Sequence, residues 1–205
     1  MQSEGLKIIL SGPSGSGKGT IVKELIKESN FVVSISATTR GPRVGEEHGV
    51  HYFFREKEEF EEMIAKEELL EYANFCGNYY GTPKSFIDET IKDGTDVILE
   101  IEVQGALQVK EVYPEAIFIF IMPPTFEELK KRLVGRNTET PEVIKKRLAR
   151  AEDELLHYKE YDYIVVNETI EEAATQIKEI VKAEKLKSYR YKQYIQDMLN
   201  SKGGN

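Results

Sequence analysis

Short apolar runs recur along the chain, and most are nearly continuous instead of alternating with polar residues. The runs are Leu6–Leu10, Phe31–Ser36, Asp96–Ile101, Ile117–Met122 and Tyr161–Val166. Such runs are typical of parallel strands that are buried on both faces, because crossover helices cover each side of the sheet. Segments with helical spacing lie between them. The pattern therefore predicts an α/β fold, a central parallel sheet covered by helices on both faces.

Two stretches between the predicted strands indicate inserted subdomains. The first spans about residues 36–94 and is rich in turns and aromatic residues, with an acidic helix around Glu58–Glu71. This stretch is too long for a simple crossover. The second spans about residues 126–154, and its first helix covers Phe126–Leu133.

The second predicted insertion is rich in arginine. A break at Gly135–Thr138 follows its first helix, and Thr140 and Pro141 form a start signal for a second helix that carries Arg147 and Arg150. We therefore predict a single domain over residues 1–205, whose core comprises about residues 1–35, 95–125 and 155–205.

A glycine-rich loop joins the first predicted strand to the following helix. It fits the pattern Gly12-x-x-x-x-Gly17-Lys18, and its strand and helix context makes the match specific. Glycines let backbone N–H groups turn inward around an anion, the helix start adds its dipole, and Lys18 supplies a cation. We expect nucleotide triphosphate binding by the loop residues Gly12, Pro13, Ser14, Gly15, Ser16, Gly17, Lys18, Gly19 and Thr20.

The position after the lysine departs from the usual phosphate loop. A serine or threonine normally stands there, but this chain has Gly19 followed by Thr20. Direct ligation of Mg²⁺ by a loop hydroxyl is therefore not expected, and we predict no protein metal ligand. The sequence favours Mg²⁺ as a cofactor held mainly by nucleotide phosphates and water.

Composition and charge narrow the class of partner. The net charge of −8 argues against a general nucleic-acid surface, which requires a basic stripe. The single cysteine, Cys76, indicates a reducing compartment, and the chain lacks a signal-like or membrane-spanning apolar run. We expect a cytoplasmic protein with no membrane partner, and no pattern predicts an oligomeric state.

The phosphate loop by itself does not identify the class of enzyme, because GTPases, motor ATPases and small kinases all contain it. The chain contains no Asn-Lys-x-Asp guanine motif, which argues against a GTPase. Its 205 residues argue against a large ATPase, and two insertions favour an enzyme that closes over two substrates. A small kinase is the remaining class.

Several longer motifs closely resemble the guanylate kinase family. They are the phosphate loop, Ser36–Glu46, Gly49–Phe53, Leu70–Tyr72, Gly77–Thr82 and Leu99–Gly105. The resemblance extends from about Leu6 to about Lys182, with the motifs in the family's order. It implies a P-loop kinase fold in which the first insertion binds GMP and the second is a mobile lid.

The resemblance also implies an acceptor site in the first insertion. The residues assigned to GMP binding are Ser36, Arg40, Arg43, Glu46, Tyr52, Glu71, Tyr80, Thr82, Glu100 and Glu102. Among these, two arginines and two tyrosines would hold the GMP phosphate, while Ser36, Glu71 and Thr82 would read guanine. Chemistry supports the carboxylate, because guanine presents two adjacent donors and a carboxylate only accepts. Glu100 and Glu102 would face the acceptor nucleotide or the water shell of the metal.

The resemblance implies further residues on the ATP side. Arg132, Arg136 and Asn167 would contact ATP, and the catalytic set would be Lys18, Arg43, Arg136 and Arg147. These cations would spread the charge that develops during phosphoryl transfer. No general base is expected, because the acceptor phosphate has a second pKa of about 6 and is largely ionised at neutral pH.

The predicted activity is ATP-dependent phosphorylation of GMP, and of dGMP, to the diphosphate, within purine nucleotide metabolism. One alternative is a non-catalytic, guanylate-kinase-like module that binds proteins, since scaffold proteins reuse this fold. Its phosphate loop would typically be degraded, whereas Lys18 and the lid arginines are present here. A kinase for another phosphorylated sugar or nucleotide is a further alternative, against which Glu71 and Thr82 argue.

Overall fold

The structure is a computed structural model that describes residues 4–27, 31–75, 77–134 and 141–201. The strands are β1 (Lys7–Ser11), β2 (Phe31–Val33), β3 (Ala37–Thr38), β4 (Phe53–Phe54), β5 (Leu69–Phe75), β6 (Asn78–Pro83), β7 (Asp96–Glu100), β8 (Ile117–Met122) and β9 (Tyr163–Val166). The α-helices are α1 (Lys18–Leu25), α2 (Lys57–Ala65), α3 (Lys84–Lys92), α4 (Val103–Val112), α5 (Phe126–Val134), α6 (Pro141–Leu155), α7 (Ile170–Lys185) and α8 (Lys192–Asn200).

The predicted central sheet is confirmed. Five strands form it in the order β2-β7-β1-β8-β9, and every neighbouring pair is parallel. The β1 residues Ile8, Ile9 and Leu10 are fully buried, which explains why the apolar run in the sequence is continuous. In this arrangement the carboxyl ends of all five strands meet at one edge, where ligands bind in open α/β sheets.

Helices cover both faces of the sheet, as the sequence predicts. On one face, residues of α1 and α7 pack with Ile8, Leu10 and Ile119. On the other face, residues of α3 and α4 pack with Ile9, Leu99 and Phe118. The strands alternate their side chains between these two apolar clusters, so each face has its own core.

A second sheet forms within the first insertion, where the sequence pattern predicts none. Its order is β4-β3-β6-β5, with β3 parallel to β4 and antiparallel to β6. Helix α2 covers it through Phe60, which is fully buried and stacks on Tyr79 with ring centroids 5.3 Å apart. This small core supports the predicted acceptor residues separately from the central sheet.

The predicted acidic helix around Glu58–Glu71 is shorter than expected. Helix α2 ends at Ala65, and Glu67 adopts a positive φ of 54° that reverses the chain. Leu69 and Leu70 then enter β5 as buried residues. Glu71 therefore lies on a strand and not on a helix face. The sequence does not show where the helix ends, because exposed glutamates are compatible with both the helix and the turn.

Two strand boundaries also differ from the sequence prediction. The second strand covers Phe31–Val33 and stops before Ser36, because the chain leaves the central sheet to enter β3. The strand predicted over Tyr161–Val166 begins at Tyr163, after a short 3-10 helix at Leu156–Glu160. Ser36 consequently lies between the two sheets.

The two predicted lid helices are present as α5 and α6. They pack together through Leu129, Leu133 and Ala151, all buried. The predicted break at residues 135–138, which contains Arg136, lies outside the described residues, and so does Thr140. Among the described helices, none is long and apolar enough to cross a membrane.

Asp96 joins the first strand to the end of α7. It is 4% exposed, its Oδ1 accepts the Leu6 N–H at 3.0 Å, and its Oδ2 lies 2.6 Å from Lys185 Nζ. Removing the carboxylate would leave a buried N–H without an acceptor, whereas the lysine side chain is 42% exposed and can bind water.

We predict that Asp96→Ala lowers the free energy of unfolding by about 2–3 kcal/mol, mostly through the unsatisfied N–H. Lys185→Ala is the matched control and should lower it by less, because Asp96 keeps the Leu6 N–H and water can replace the partly exposed lysine. Chemical denaturation measures both variants. Equal losses in the two variants would contradict the predicted division.

Candidate active site

The phosphate loop follows β1 at the carboxyl edge of the sheet. Gly12, Gly15 and Gly17 have φ values of 144°, 90° and 94°, which turn the backbone in the way an anion-binding nest requires. Gly12 also lies against β8, because a Cβ there would come 2.0 Å from the Ile121 carbonyl oxygen. Helix α1 begins at Lys18, so its N-terminus faces the loop.

Lys18 is held within the loop. Its Nζ donates to the carbonyl oxygens of Gly12 at 2.6 Å and Pro13 at 3.3 Å. These carbonyls keep the cation beside the nest. A ligand phosphate would offer the ammonium group a charged acceptor, and a charge-assisted hydrogen bond is stronger than one to a neutral carbonyl.

Two predicted ATP-side residues support the loop from the lid and from β9. Asn167 is buried, and its Nδ2 donates to the Ser16 carbonyl at 2.7 Å. Arg132 Nη2 donates to the Asn167 carbonyl at 3.2 Å, while its Nε donates to Glu128 at 3.2 Å. Arg132 and Asn167 thus lie together beside the loop, and their contact with ATP stays a prediction.

The second helix of the predicted lid, α6, also contacts the loop. Arg147 of α6 donates from Nη2 to Ser14 Oγ at 2.6 Å. One helical turn later, Arg150 pairs with Glu102 and also donates to Glu154 at 2.8 Å. Arg150 received no role in the sequence analysis, although its spacing of three residues from Arg147 places both on one helix face.

Glu100 and Glu102 occupy different surroundings. Strand β7 pairs with β1 so that Glu100 lies opposite Leu10, and a Cβ at Gly19 would be 3.3 Å from Glu100 Oε1. Desolvation raises the pKa of Glu100, and the positive charges of Lys18 and Lys23 oppose the increase.

Glu102 instead precedes α4 and pairs with Arg150 of the lid helix. Its side chain is largely exposed. Glu100 thus lies beside Gly19 of the phosphate loop, and Glu102 lies beside Arg150 of α6. The assignment of both carboxylates to GMP or to the water shell of the metal stays a prediction.

The four predicted phosphate-binding residues lie near one another at the second sheet, with Tyr80 on β6, Arg40 and Arg43 after β3, and Tyr52 before β4. Arg40 Nη2 lies 3.0 Å from both carboxylate oxygens of Glu46, and its Cζ lies 5.5 Å from the Tyr52 ring centroid. The Tyr52 and Tyr80 rings meet edge to face at 6.2 Å. Arg43 is exposed and contributes its backbone N–H, which donates to Glu46 at 2.8 Å.

Glu46 orients this cluster electrostatically. The backbone N–H of Arg43 lowers the pKa of Glu46 below its ordinary value, although desolvation opposes this, and Arg40 lowers it further. The carboxylate therefore stays ionised at neutral pH and holds the Arg40 guanidinium group in one orientation. A fixed guanidinium fork is suited to bidentate contact with a phosphate.

A β-bulge places Glu71 beside Thr82. Leu69 lies opposite Pro83 and Tyr72 opposite Gly81, so two residues of β5 face the single residue Thr82 of β6. Thr82 Oγ1 donates to Glu71 Oε1 at 2.6 Å, and both residues are buried.

Ser36 immediately precedes β3 of the second sheet. Ala37 pairs with Gly81 in the antiparallel register of β3 and β6, so extending it by one residue puts Ser36 opposite Thr82. The three predicted guanine-reading residues are therefore neighbours. Burial raises the pKa of Glu71, and the hydrogen bond from Thr82 opposes the increase.

Among the described residues, no group of three or more His, Cys, Asp or Glu side chains could enclose a metal ion. Glu100 is the carboxylate beside Gly19, where a hydroxyl-bearing residue usually stands. A carboxylate oxygen is a donor that Mg²⁺ prefers, so the residues are compatible with Mg²⁺ bound mainly to nucleotide phosphates and water.

Comparison with known proteins places this geometry in a family context. Residues 4–184 match the guanylate kinase family. A guanylate kinase from Clostridioides difficile (strain 630) is 55% identical over 193 residues, which cover 94% of each chain. A guanylate kinase from Halalkalibacterium halodurans is 56% identical over 190 residues, covering 92% of this chain and 93% of the relative.

A solved structure agrees with these relatives. The crystal structure of guanylate kinase from Anaplasma phagocytophilum superposes with a TM-score of 0.74 at 37% sequence identity. The match covers 93% of this chain and 91% of that chain.

Proposed function

This chain belongs to the guanylate kinase family, and we propose that it transfers the terminal phosphoryl group of ATP to GMP, yielding ADP and GDP. The observation that carries the proposal is the buried Glu71 carboxylate. The bulge places it beside Thr82, whose Oγ1 donates to Glu71 Oε1 at 2.6 Å. It lies on the same small sheet as the Arg40, Tyr52 and Tyr80 cluster, so one surface offers contacts for both a base and a phosphate. We include dGMP as an acceptor.

Guanine recognition follows from the hydrogen-bonding chemistry of Glu71. The carboxylate only accepts, and guanine presents the N1–H and 2-amino donors side by side. Adenine has an acceptor at N1, which would face the carboxylate without a proton between them. A site with buried polar groups of this kind rejects an analogue that leaves them unpaired by about 10⁴-fold or more. Ser36 and Thr82 complete the base contacts in this proposal.

The phosphate of GMP is proposed to bind at the tyrosine and arginine cluster. Arg40 is oriented by Glu46, and Tyr52 and Tyr80 add hydroxyl donors without adding charge. Arg43 is exposed and would contact both the acceptor phosphate and the transferred phosphoryl group.

ATP is proposed to bind at the phosphate loop, with its phosphates on the backbone N–H groups and Lys18. Arg132 and Asn167 contact the loop at the Ser16 carbonyl, and Arg147 contacts it at Ser14. Arg136 belongs to this proposed set but lies outside the described residues.

The reaction requires positioning and charge neutralisation more than acid–base chemistry. An ionised oxygen of the GMP phosphate bonds to the γ-phosphorus, the bond to the β–γ bridging oxygen breaks, and the electron pair leaves on ADP. Lys18, Arg43, Arg136 and Arg147 stabilise the charge that moves during this exchange. Bound Mg²⁺ would supply further neutralisation of the phosphate charges.

The lid helices are proposed to exclude water from the transferred phosphoryl group. Helix α6 contacts the phosphate loop through Arg147 and the start of α4 through the Arg150 pair with Glu102. Exclusion of water limits wasteful ATP hydrolysis. We propose that residues 36–94 form the acceptor subdomain and residues 126–154 the lid. A cytoplasmic location, a role in purine nucleotide metabolism and the absence of nucleic-acid and membrane partners stay predictions from the sequence.

The activity is tested by coupled ADP-release assays with GMP, dGMP, AMP, CMP and UMP as acceptors. We expect GMP to have the highest kcat/KM, with AMP lower by about 10⁴-fold because its N1 leaves Glu71 unpaired. Equal use of AMP and GMP would contradict guanine reading. The absence of turnover with every acceptor would instead favour the non-catalytic protein-binding module.

We predict that Lys18→Ala lowers kcat by about 10²-fold to 10³-fold, because a preorganised positive charge and hydrogen-bond donor at the phosphates is lost. Lys182→Ala is the matched control, since this lysine is exposed on α7. Steady-state assays measure kcat, and thermal unfolding verifies that both variants fold. A folded Lys18→Ala variant with normal kcat would disprove the assigned role.

A further inference from the structure

Gly105 is a buried glycine within helix α4. It does not have a positive φ, so its backbone conformation is one that alanine adopts readily. Glycine is less favourable than alanine in a helix because it loses more conformational freedom on folding. Neither the backbone conformation nor helix propensity therefore explains why glycine occupies this position.

The reason lies in the space over Gly105. A Cβ at this position would be 2.9 Å from Glu71 Oε2 and 3.3 Å from both Cδ and Cγ of Glu71. These are the three nearest atoms, and all belong to the same side chain. The missing methyl group thus leaves the volume in which the Glu71 carboxylate lies.

Helix α4 also holds the backbone next to Glu71. Gln108, one turn after Gly105, accepts the Tyr72 N–H through its Oε1 at 3.2 Å. Tyr72 follows the bulge directly, at the point where regular pairing with β6 resumes. The helix therefore contacts the carboxylate at one position and its strand at the next turn.

We infer that Gly105 is a positioning residue for guanine specificity: it provides the space that lets the Glu71 carboxylate face the base while Thr82 holds its other oxygen. This inference rests on the proposed function. Gly105 acts only through Glu71 and does not itself touch the nucleotide or the phosphates.

The position of the carboxylate decides how many guanine donors it accepts. Thr82 binds Oε1, and Gly105 lies next to Oε2, so a methyl group at 105 pushes Oε2 while Oε1 stays tethered. The carboxylate would then rotate or withdraw. It would no longer accept the N1–H and the 2-amino group together, and the phosphate-binding residues would be unaffected.

The test is Gly105→Ala, assayed with GMP, with inosine 5′-monophosphate, which lacks the 2-amino group, and with ATP. We expect the KM for GMP to rise by about 10-fold to 100-fold, the effect of losing one hydrogen bond to a charged group. The kcat/KM preference for GMP over inosine monophosphate should fall. The KM for ATP and kcat should change by less than about 3-fold, because the transfer site keeps its groups.

Thermal unfolding separates positioning from a packing defect. The unfolding temperature of Gly105→Ala should not fall, because alanine favours the helix and the displaced atoms belong to a side-chain end. Glu111→Ala, at an exposed position on the same helix, is the control and should leave all kinetic constants unchanged. A lower unfolding temperature with equal losses for GMP and ATP would overturn the inference.

A double-variant cycle with Glu71→Ala shows whether Gly105 acts through Glu71. In the Glu71→Ala background, Gly105→Ala should change kcat/KM for GMP by less than about 2-fold, because no carboxylate remains to be displaced. Independent, multiplicative effects would contradict the inference. Should Gly105→Ala alone not fold, folding of the double variant supports the contact, and its failure to fold overturns it.

The outcome also distinguishes this inference from the proposed function. A wild-type protein that phosphorylates GMP, with a Gly105→Ala variant of unchanged specificity, would overturn only the role of Gly105. A wild-type protein without GMP turnover would overturn the proposed function, and the inference with it.

Discussion

The parallel pairing of β1 with β7 and β8 is the constraint on which the site depends. It brings the end of β1, where the phosphate loop starts, beside Glu100 at the end of β7 and beside Met122 at the end of β8. The Asn167 N–H then bonds the Met122 carbonyl at 2.8 Å, which places the Asn167 amide against the loop. One edge of a buried sheet thus assembles donors from distant parts of the chain, and its cores on both faces keep that edge rigid.

A second, smaller sheet carries the residues that we propose to read guanine. The bulge in β5 turns Glu71 toward Thr82, and both side chains are buried. A ligand without hydrogen-bond donors for the carboxylate therefore binds unfavourably, since a buried acceptor would stay unpaired. Helix α4 links this site to the lid, because its start carries Glu102, paired with Arg150, and its next residues lie over Glu71. The proposed base-reading site and the proposed lid therefore both contact one helix.

The sequence predicts the central sheet well because continuous burial leaves a local signal, as in Ile117–Met122. It predicts the phosphate loop because two glycines and a lysine at this spacing, between a strand and a helix, are typical of phosphate binding. It does not reveal that Glu71 lies on a strand, since the bulge is set by pairing with β6 and exposed glutamates look alike in a helix and a turn. The pair between Glu102 and Arg150 escapes local patterns too, because its partners are 48 residues apart.

The central claim is that the ionised Glu71 carboxylate reads guanine, and its pKa tests this directly. The ¹³C shift of the Glu71 carboxyl group, assigned with Glu71→Gln, is followed against pH in the free protein and with saturating GMP or AMP. The free protein should give a pKa above the ordinary value of about 4.3, since burial disfavours the charge. GMP should lower this pKa, because its N1–H and 2-amino donors stabilise the carboxylate, and AMP should not. A pKa that GMP leaves unchanged or raises would contradict the claim.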